Sequence, residues 1–257
     1  MHCVDQERRE ILKWLVTTDP SSNHNAAFHL HEPHTGKWFF GSPEYKDWLT
    51  GSTSHLWLHG IPGAGKTVLL SSIVEKVQDY CKSQTPKDIA CAYYYCYFHR
   101  SQDEAPHMLR WVLSQLCRQS NFVPDEVQEL FHNGTEPGIP QLISALSAVL
   151  HRFRRVYVLV DALDESLDRR KLLNVLKTLM SSNFRKLRVL AMSRKEQDIE
   201  QALQNISCDI SLSNARVDED IRLYVHNIIR NDQRFMGWSS SLRNDVEDSL
   251  VGGAKGM

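Results

Sequence analysis

A chain of 257 residues, 42% hydrophobic and 24% charged, has a globular composition with room for one large core and a smaller appended unit, which excludes disordered, fibrous and disulfide-miniprotein classes. Thirty Lys and Arg against 31 Asp and Glu leave a net charge of −1, so no global field draws the chain to nucleic acid or anionic lipid, and any polyanion must be held locally. Six cysteines with no Cys-x-x-Cys pair, a longest apolar run (Ile89 to Phe98) about half of what a spanning helix needs, and a charged start predict a soluble cytoplasmic protein with free thiols and neither a membrane nor a nucleic-acid partner.

Three regions are expected. Residues 1–54 form a helical and aromatic lead-in segment: a helical pattern (Ile11, Leu12, Leu15, Val16), a polar loop DPSSNHN, then KWFFGSPEYKDWL, whose Trp38, Phe39, Phe40, Tyr45 and Trp48 read as packing anchors. Residues 55–213 alternate apolar runs (HLWLHG, IACAYYYCYF, VYVLVDAL, LRVLAMSR, CDISL) with helical patterns over 68–80, 107–118, 141–153, 171–180 and 197–203. This predicts an α/β fold, a three-layer sandwich around a five-stranded parallel sheet with right-handed crossovers. Residues 214–257 carry two amphipathic patterns, DIRLYVHNIIR and LRNDVEDSLV, and no strand signal; the region is too small for a complete domain.

Within the second region, Gly60 to Thr67 reads GIPGAGKT, the G-x-x-x-x-G-K-[ST] phosphate loop, between the strand LWLH and a helix with Leu69, Ile73, Val77 and Tyr80 on one face. Glycines let backbone N–H groups approach a pyrophosphate, and the helix N-terminus adds a favourable dipole. Gly60, Ile61, Pro62, Gly63, Ala64, Gly65, Lys66, Thr67 and Val68 are therefore the candidate nucleotide-binding residues, with Lys66 reaching the β- and γ-phosphates and Thr67 supplying a hydroxyl to Mg2+.

The second motif is VYVLVDALDE, 156–165. Five apolar residues read as a strand buried on both faces, which places Asp161 at its carboxyl end, where open α/β sheets bind ligands; Asp161 is the candidate Mg2+ carboxylate. Small Ala162 keeps the strand end close to the nucleotide. Glu165 is the candidate base for an attacking water and Asp164 its helper, the alternative being that both acids only favour the N-terminus of the next helix. The strand LRVLAMSR ends in Ser193 and Arg194, a polar pair after a buried run; Arg194 is a candidate catalytic residue or a solvated strand-end charge.

Weaker signals take blander readings. His24, His29, His31 and His34 match no zinc spacing and read as solvated loop residues. Cys91 and Cys96 face opposite sides of one strand as small core residues. Tyr93, Tyr94, Tyr95 and Tyr97 fit a central strand better than a base-stacking platform, and Arg152, Arg154 and Arg155 read as a solvated basic turn.

Taken together, GIPGAGKT, VYVLVDALDE and LAMSR resemble the NACHT group of STAND P-loop ATPases. The phrases ILKWL, DPSSNHNAA, TGKWFF and LWLHGIPGAGKTVL resemble the nephrocystin-like N-terminal NACHT module of fungal receptor-like proteins. The resemblance implies an ATP/ADP-controlled, Mg2+-dependent switch with weak ATPase activity that self-associates, adenine over guanine, and Arg194 facing the γ-phosphate. It also implies that residues 214–257 are a partial helical lid, and that an ankyrin, WD or TPR repeat sensor, absent from this sequence, follows the NTPase. Because the family's lid continues into a winged-helix domain whereas this sequence stops at GGAKGM, residues 1–257 are expected to bind nucleotide without assembling into a ring. Two other readings stand beside it: a P-loop small-molecule kinase, and a non-catalytic scaffold stabilised by nucleotide.

Overall fold

The computed structural model describes residues 2–97, 103–212 and 215–254. Five strands, β1 (His55–His59), β2 (Ile89–Tyr95), β3 (Arg155–Asp161), β4 (Leu187–Ser193) and β5 (Cys208–Ser211), form one sheet in the order β2-β3-β4-β1-β5 with every pair parallel. All five expected strands are present, but β2 stops at Tyr95, short of the expected end, so that Cys96 and Tyr97 lie beyond it; Phe98 and the boundary at Ser213 and Asn214 lie outside the described residues.

Alternation along each strand splits the core in two. Val156, Val158 and Val160 of β3 join one cluster with Ile11, Leu113, Leu146 and Leu176, while Tyr157 and Leu159 join another with Trp48, Leu70 and Ile73. The first cluster is supplied by helices α1 (His2–Leu15), α6 (Glu104–Ser120), α7 (Asp125–His132), α8 (Ile139–Leu150), α9 (Arg169–Leu179) and α10 (Gln197–Leu203). The second is supplied by α3 (Lys37–Gly41), α4 (Pro43–Thr50) and α5 (Lys66–Ser83). Burial on both faces explains the continuous apolar runs of these strands. Cys91 and Cys96 fall in opposite clusters, as their spacing requires.

The structure corrects four readings. The stretch DPSSNHN is not a loop: α2 (Ser21–His29) starts within it, with the Ser21 amide donating to Asp19 Oδ1 at 2.8 Å. His24 is not solvated but buried at 4% exposure, its Nδ1 3.0 Å from Tyr95 Oη and its Nε2 2.9 Å from Glu75. Tertiary contacts override the turn preference of Ser and Asn here. The tyrosine strand β2 is an edge strand, not a central one. It stays buried because two α6 side chains occupy the free edge as a surrogate strand: the Gln119 amide accepts from Cys91 N (3.2 Å) and donates to Cys91 O (2.8 Å), and Gln115 does the same for Tyr93 (3.2 and 2.9 Å). Finally, Arg155 begins β3 and donates to Leu49 O at 2.9 Å, so the basic turn is only partly solvated.

Two further helices, α11 (Ala215–Asn231) and α12 (Ser240–Ala254), pack against each other beyond β5. Val217 of α11 is buried in the second cluster, and Ile221 packs against it. No helix among the described residues is long and apolar enough to cross a membrane.

Candidate functional site

The carboxyl ends of β1, β3 and β4 converge on one cleft. After β1 the chain turns through the glycine-rich loop into α5, whose N-cap Gly65 has φ of +73°, a left-handed conformation that glycine alone adopts without penalty. The Lys66 ammonium folds back over its own loop and donates to the carbonyls of Gly60 and Ile61, each at 2.8 Å. Pro62, Gly63, Ala64, Gly65, Lys66, Thr67 and Val68 line the cleft, about 290 Å3, together with Asp161, Ala162, Asp164, Glu165 and Arg194. Gly60 and Ile61 contribute through the carbonyls that hold Lys66.

Asp161 ends β3 with 1% exposure; neither carboxylate oxygen completes a hydrogen bond of regular geometry, though the Thr67 hydroxyl and the Ala162 amide favour its charged form. Burial pushes its pKa up to about 6, against the pull of the Thr67 hydroxyl, the Ala162 amide and Lys66. Burial also lowers the Lys66 ammonium from its ordinary value, opposed by Asp164 and Asp161. Ala162 follows with φ of +56°, a conformation that costs a non-glycine residue on the order of 1 kcal/mol. This reversal, more than the small size of Ala162, turns the chain into the 3-10 turn Leu163–Glu165 and brings both acids to the cleft.

Of the two acids, Asp164 is tied to the end of β4. Asp164 Oδ1 accepts from the Arg194 amide at 2.9 Å and its Oδ2 pairs with Arg194 Nε at 3.1 Å, so its carboxylate is engaged with the end of β4. Arg194 is fixed from the other side too: Ser193 Oγ donates to the Arg194 carbonyl at 2.7 Å and itself accepts from Trp57 Nε1 at 2.9 Å. Arg194, held by Ser193 at the end of β4, is thus built into the cleft wall.

A second, more apolar cavity of about 660 Å3 adjoins the first and shares Gly63, Ala64, Gly65 and Val68 with it. Its other walls include Trp38, Leu69, Leu212, Ile221, Tyr224 and Leu250, drawn from the lead-in segment, α5, the end of β5 and the two C-terminal helices. Sequence reasoning gave Trp38 only a packing role and did not single out Asp220 or Tyr224. Their sole signal is the amphipathic pattern of α11, because the partners are too far apart in the chain for any motif. No cluster of three or more His, Cys, Asp or Glu able to hold a metal occurs among the described residues.

A parallel sheet with the acidic strand separated from the phosphate-loop strand by one other, and a glycine-rich loop facing a buried carboxylate, define a three-layer P-loop NTPase fold. The family described as "Nephrocystin 3, N-terminal" matches residues 34–194, and the chain belongs to it, as a nephrocystin-like N-terminal NACHT module. The chain is also 26% identical over 204 residues to the vegetative incompatibility protein HET-E-1 of Podospora anserina, an alignment covering 76% of this chain and 15% of that protein. The chain therefore spans only a small part of that relative. Among solved structures, the ADP form of the Aeropyrum pernix ORC2 protein superposes with a TM-score of 0.50 at 14% identity, over 83% of this chain and 56% of that one; this likeness concerns the fold.

Proposed function

We propose that this module binds ATP and ADP with Mg2+, hydrolyses ATP slowly, and uses the nucleotide state to control a conformational and self-association equilibrium. The observation that carries the reading is Asp161: a buried carboxylate that completes no hydrogen bond of regular geometry, beside Lys66 and Thr67, at the end of a strand facing a phosphate loop. Leaving such a group without partners costs several kcal/mol unless a cation or donor satisfies it. Asp161 and Thr67 fit a divalent cation of the hard, oxygen-preferring kind, which when bound neutralises charge on the terminal phosphates.

In this reading Lys66 leaves the Gly60 and Ile61 carbonyls for the phosphates, and the N–H groups of residues 63–68 surround them. Glu165 orients and deprotonates the attacking water. Arg194 contacts the terminal phosphate from the β4 side. The larger apolar cavity takes the base and ribose; the ADP bound by the ORC2 neighbour, which has the same fold, supports an adenine nucleotide. A relative named for vegetative incompatibility, of which this chain covers 15%, supports a signalling role with self-association within a larger protein.

Phosphate release from ATP and from GTP, with Mg2+ and with chelator, tests the proposal when products are also identified. Slow, Mg2+-dependent conversion of ATP to ADP and inorganic phosphate is expected. A phosphorylated small molecule would indicate a kinase instead, and tight nucleotide binding without turnover a scaffold.

A further inference from the structure

The second cavity lies where α11 meets the lead-in segment. Asp220, in the second turn of α11, accepts two hydrogen bonds on one oxygen, from the Gly36 amide at 2.7 Å and the Trp38 indole at 3.0 Å. Two helical turns further on, Asn227 Nδ2 donates to Glu32 at 2.8 Å. Residues seven apart lie on one face of a helix, so both contacts hold that face against residues 32–38. Gly36 in turn sits directly on the phosphate-loop helix: a Cβ there would meet Leu69 Cδ1 at 2.9 Å. Asp220 thus ties together three parts of the cavity wall: α11, the Gly36–Trp38 corner and, through Gly36, α5. These donors lie more than 180 residues from Asp220, and nothing local in the sequence specifies the pairing.

We infer that Asp220 is a positioning residue for the nucleoside end of the site: it holds α11 and the Trp38 ring as a closed wall around the base and ribose, and so sets how fast a bound nucleoside diphosphate leaves. The inference rests on the nucleotide-binding reading above. It assigns Asp220 no contact with the phosphates, which lie in the polar cleft on the other side of residues 63–68. Charge-assisted hydrogen bonds to a half-buried carboxylate are strong enough for their loss to change a dissociation rate by an order of magnitude.

The test compares a probe that has a nucleoside with one that has none, on the full 257-residue chain. Release of N-methylanthraniloyl-ADP is followed by stopped flow, and binding of inorganic tripolyphosphate by calorimetry, both with Mg2+. Asp220→Ala is expected to speed release of the fluorescent ADP about tenfold or more and to leave tripolyphosphate affinity within about twofold of the parent. Asp220→Asn, which keeps an acceptor oxygen, should have a smaller effect. Trp38→Phe, which removes one donor and retains an aromatic ring, should fall between parent and Asp220→Ala and keeps the test open should the alanine variant fail to fold. Unchanged ADP release in Asp220→Ala, or in Trp38→Phe where only that variant folds, would overturn the inference. So would a parallel loss of tripolyphosphate affinity, which would make Asp220 a support of the whole site. Failure of the parent to bind either probe would instead remove the nucleotide reading itself.

Discussion

Acid should destabilise this fold in part through one histidine, His55, the first residue of β1. Its side chain is buried, with Nε2 3.1 Å from the Met180 carbonyl and Nδ1 3.3 Å from the Val189 amide. A carbonyl only accepts and an amide N–H only donates, so the neutral Nε2–H tautomer satisfies both partners, and a proton on Nδ1 would face the Val189 N–H. Burial above all, with Arg188 adding to it and the Met180 carbonyl opposing, lowers the pKa from 6.5 to about 4. Between pH 4 and 6.5 the unfolded chain therefore binds more protons at this site than the folded one, and stability is lost as pH falls through that window. A depression of that size corresponds to about 3 kcal/mol, fully lost below pH 4. Urea unfolding of the parent and of His55→Gln, whose amide can still donate to Met180, isolates the effect from the carboxylates that titrate in both. The parent's advantage over the variant should shrink by about 3 kcal/mol between pH 7.5 and pH 4. An advantage that stays constant with pH would refute the argument.

At the cleft, Glu165→Gln should keep nucleotide affinity and lower turnover roughly 100-fold or more, measured as phosphate release. Asp164→Asn, which weakens the hold on Arg194, should instead reduce discrimination between an ATP analogue and ADP; if it stopped hydrolysis while Glu165→Gln did not, the base would be Asp164. On the sheet edge, the Gln115→Ala, Gln119→Ala double variant removes the partners of Cys91 and Tyr93 and should cost about 2 kcal/mol in urea unfolding, with concentration-dependent light scattering from the opened strand. An unchanged midpoint and a monodisperse variant would show that the edge needs no cover.

The parts of the molecule legible in the sequence are those encoded locally. The strands declare themselves as continuous apolar runs because both faces of the sheet are covered, and the phosphate loop because its chemistry needs glycine, lysine and threonine at fixed spacing. The position of β2 was not legible: four consecutive buried residues, Tyr93 to Cys96, look central, and the edge is closed by Gln115 and Gln119 from a later helix. Nor was the pairing of Asp164 with Arg194, which arrives from the end of β4. His24 looked like a loop residue because Ser and Asn surround it, whereas its environment is set by Glu75 and Tyr95. The larger apolar cavity was the least legible part, since its walls come from both ends of the chain.

The most direct test of the account is a calorimetric titration of ADP, with and without Mg2+, into the parent chain and into Lys66→Ala. Lys66 places its charge over the loop, and its hydrogen bonds among the described residues go to the Gly60 and Ile61 carbonyls of that loop, so the variant should fold with a near-parental melting temperature. The account predicts one site in the parent, strengthened by Mg2+, and at least about 100-fold weaker binding in the variant. Equal affinity in the two folded proteins, or no binding by the parent, would contradict it.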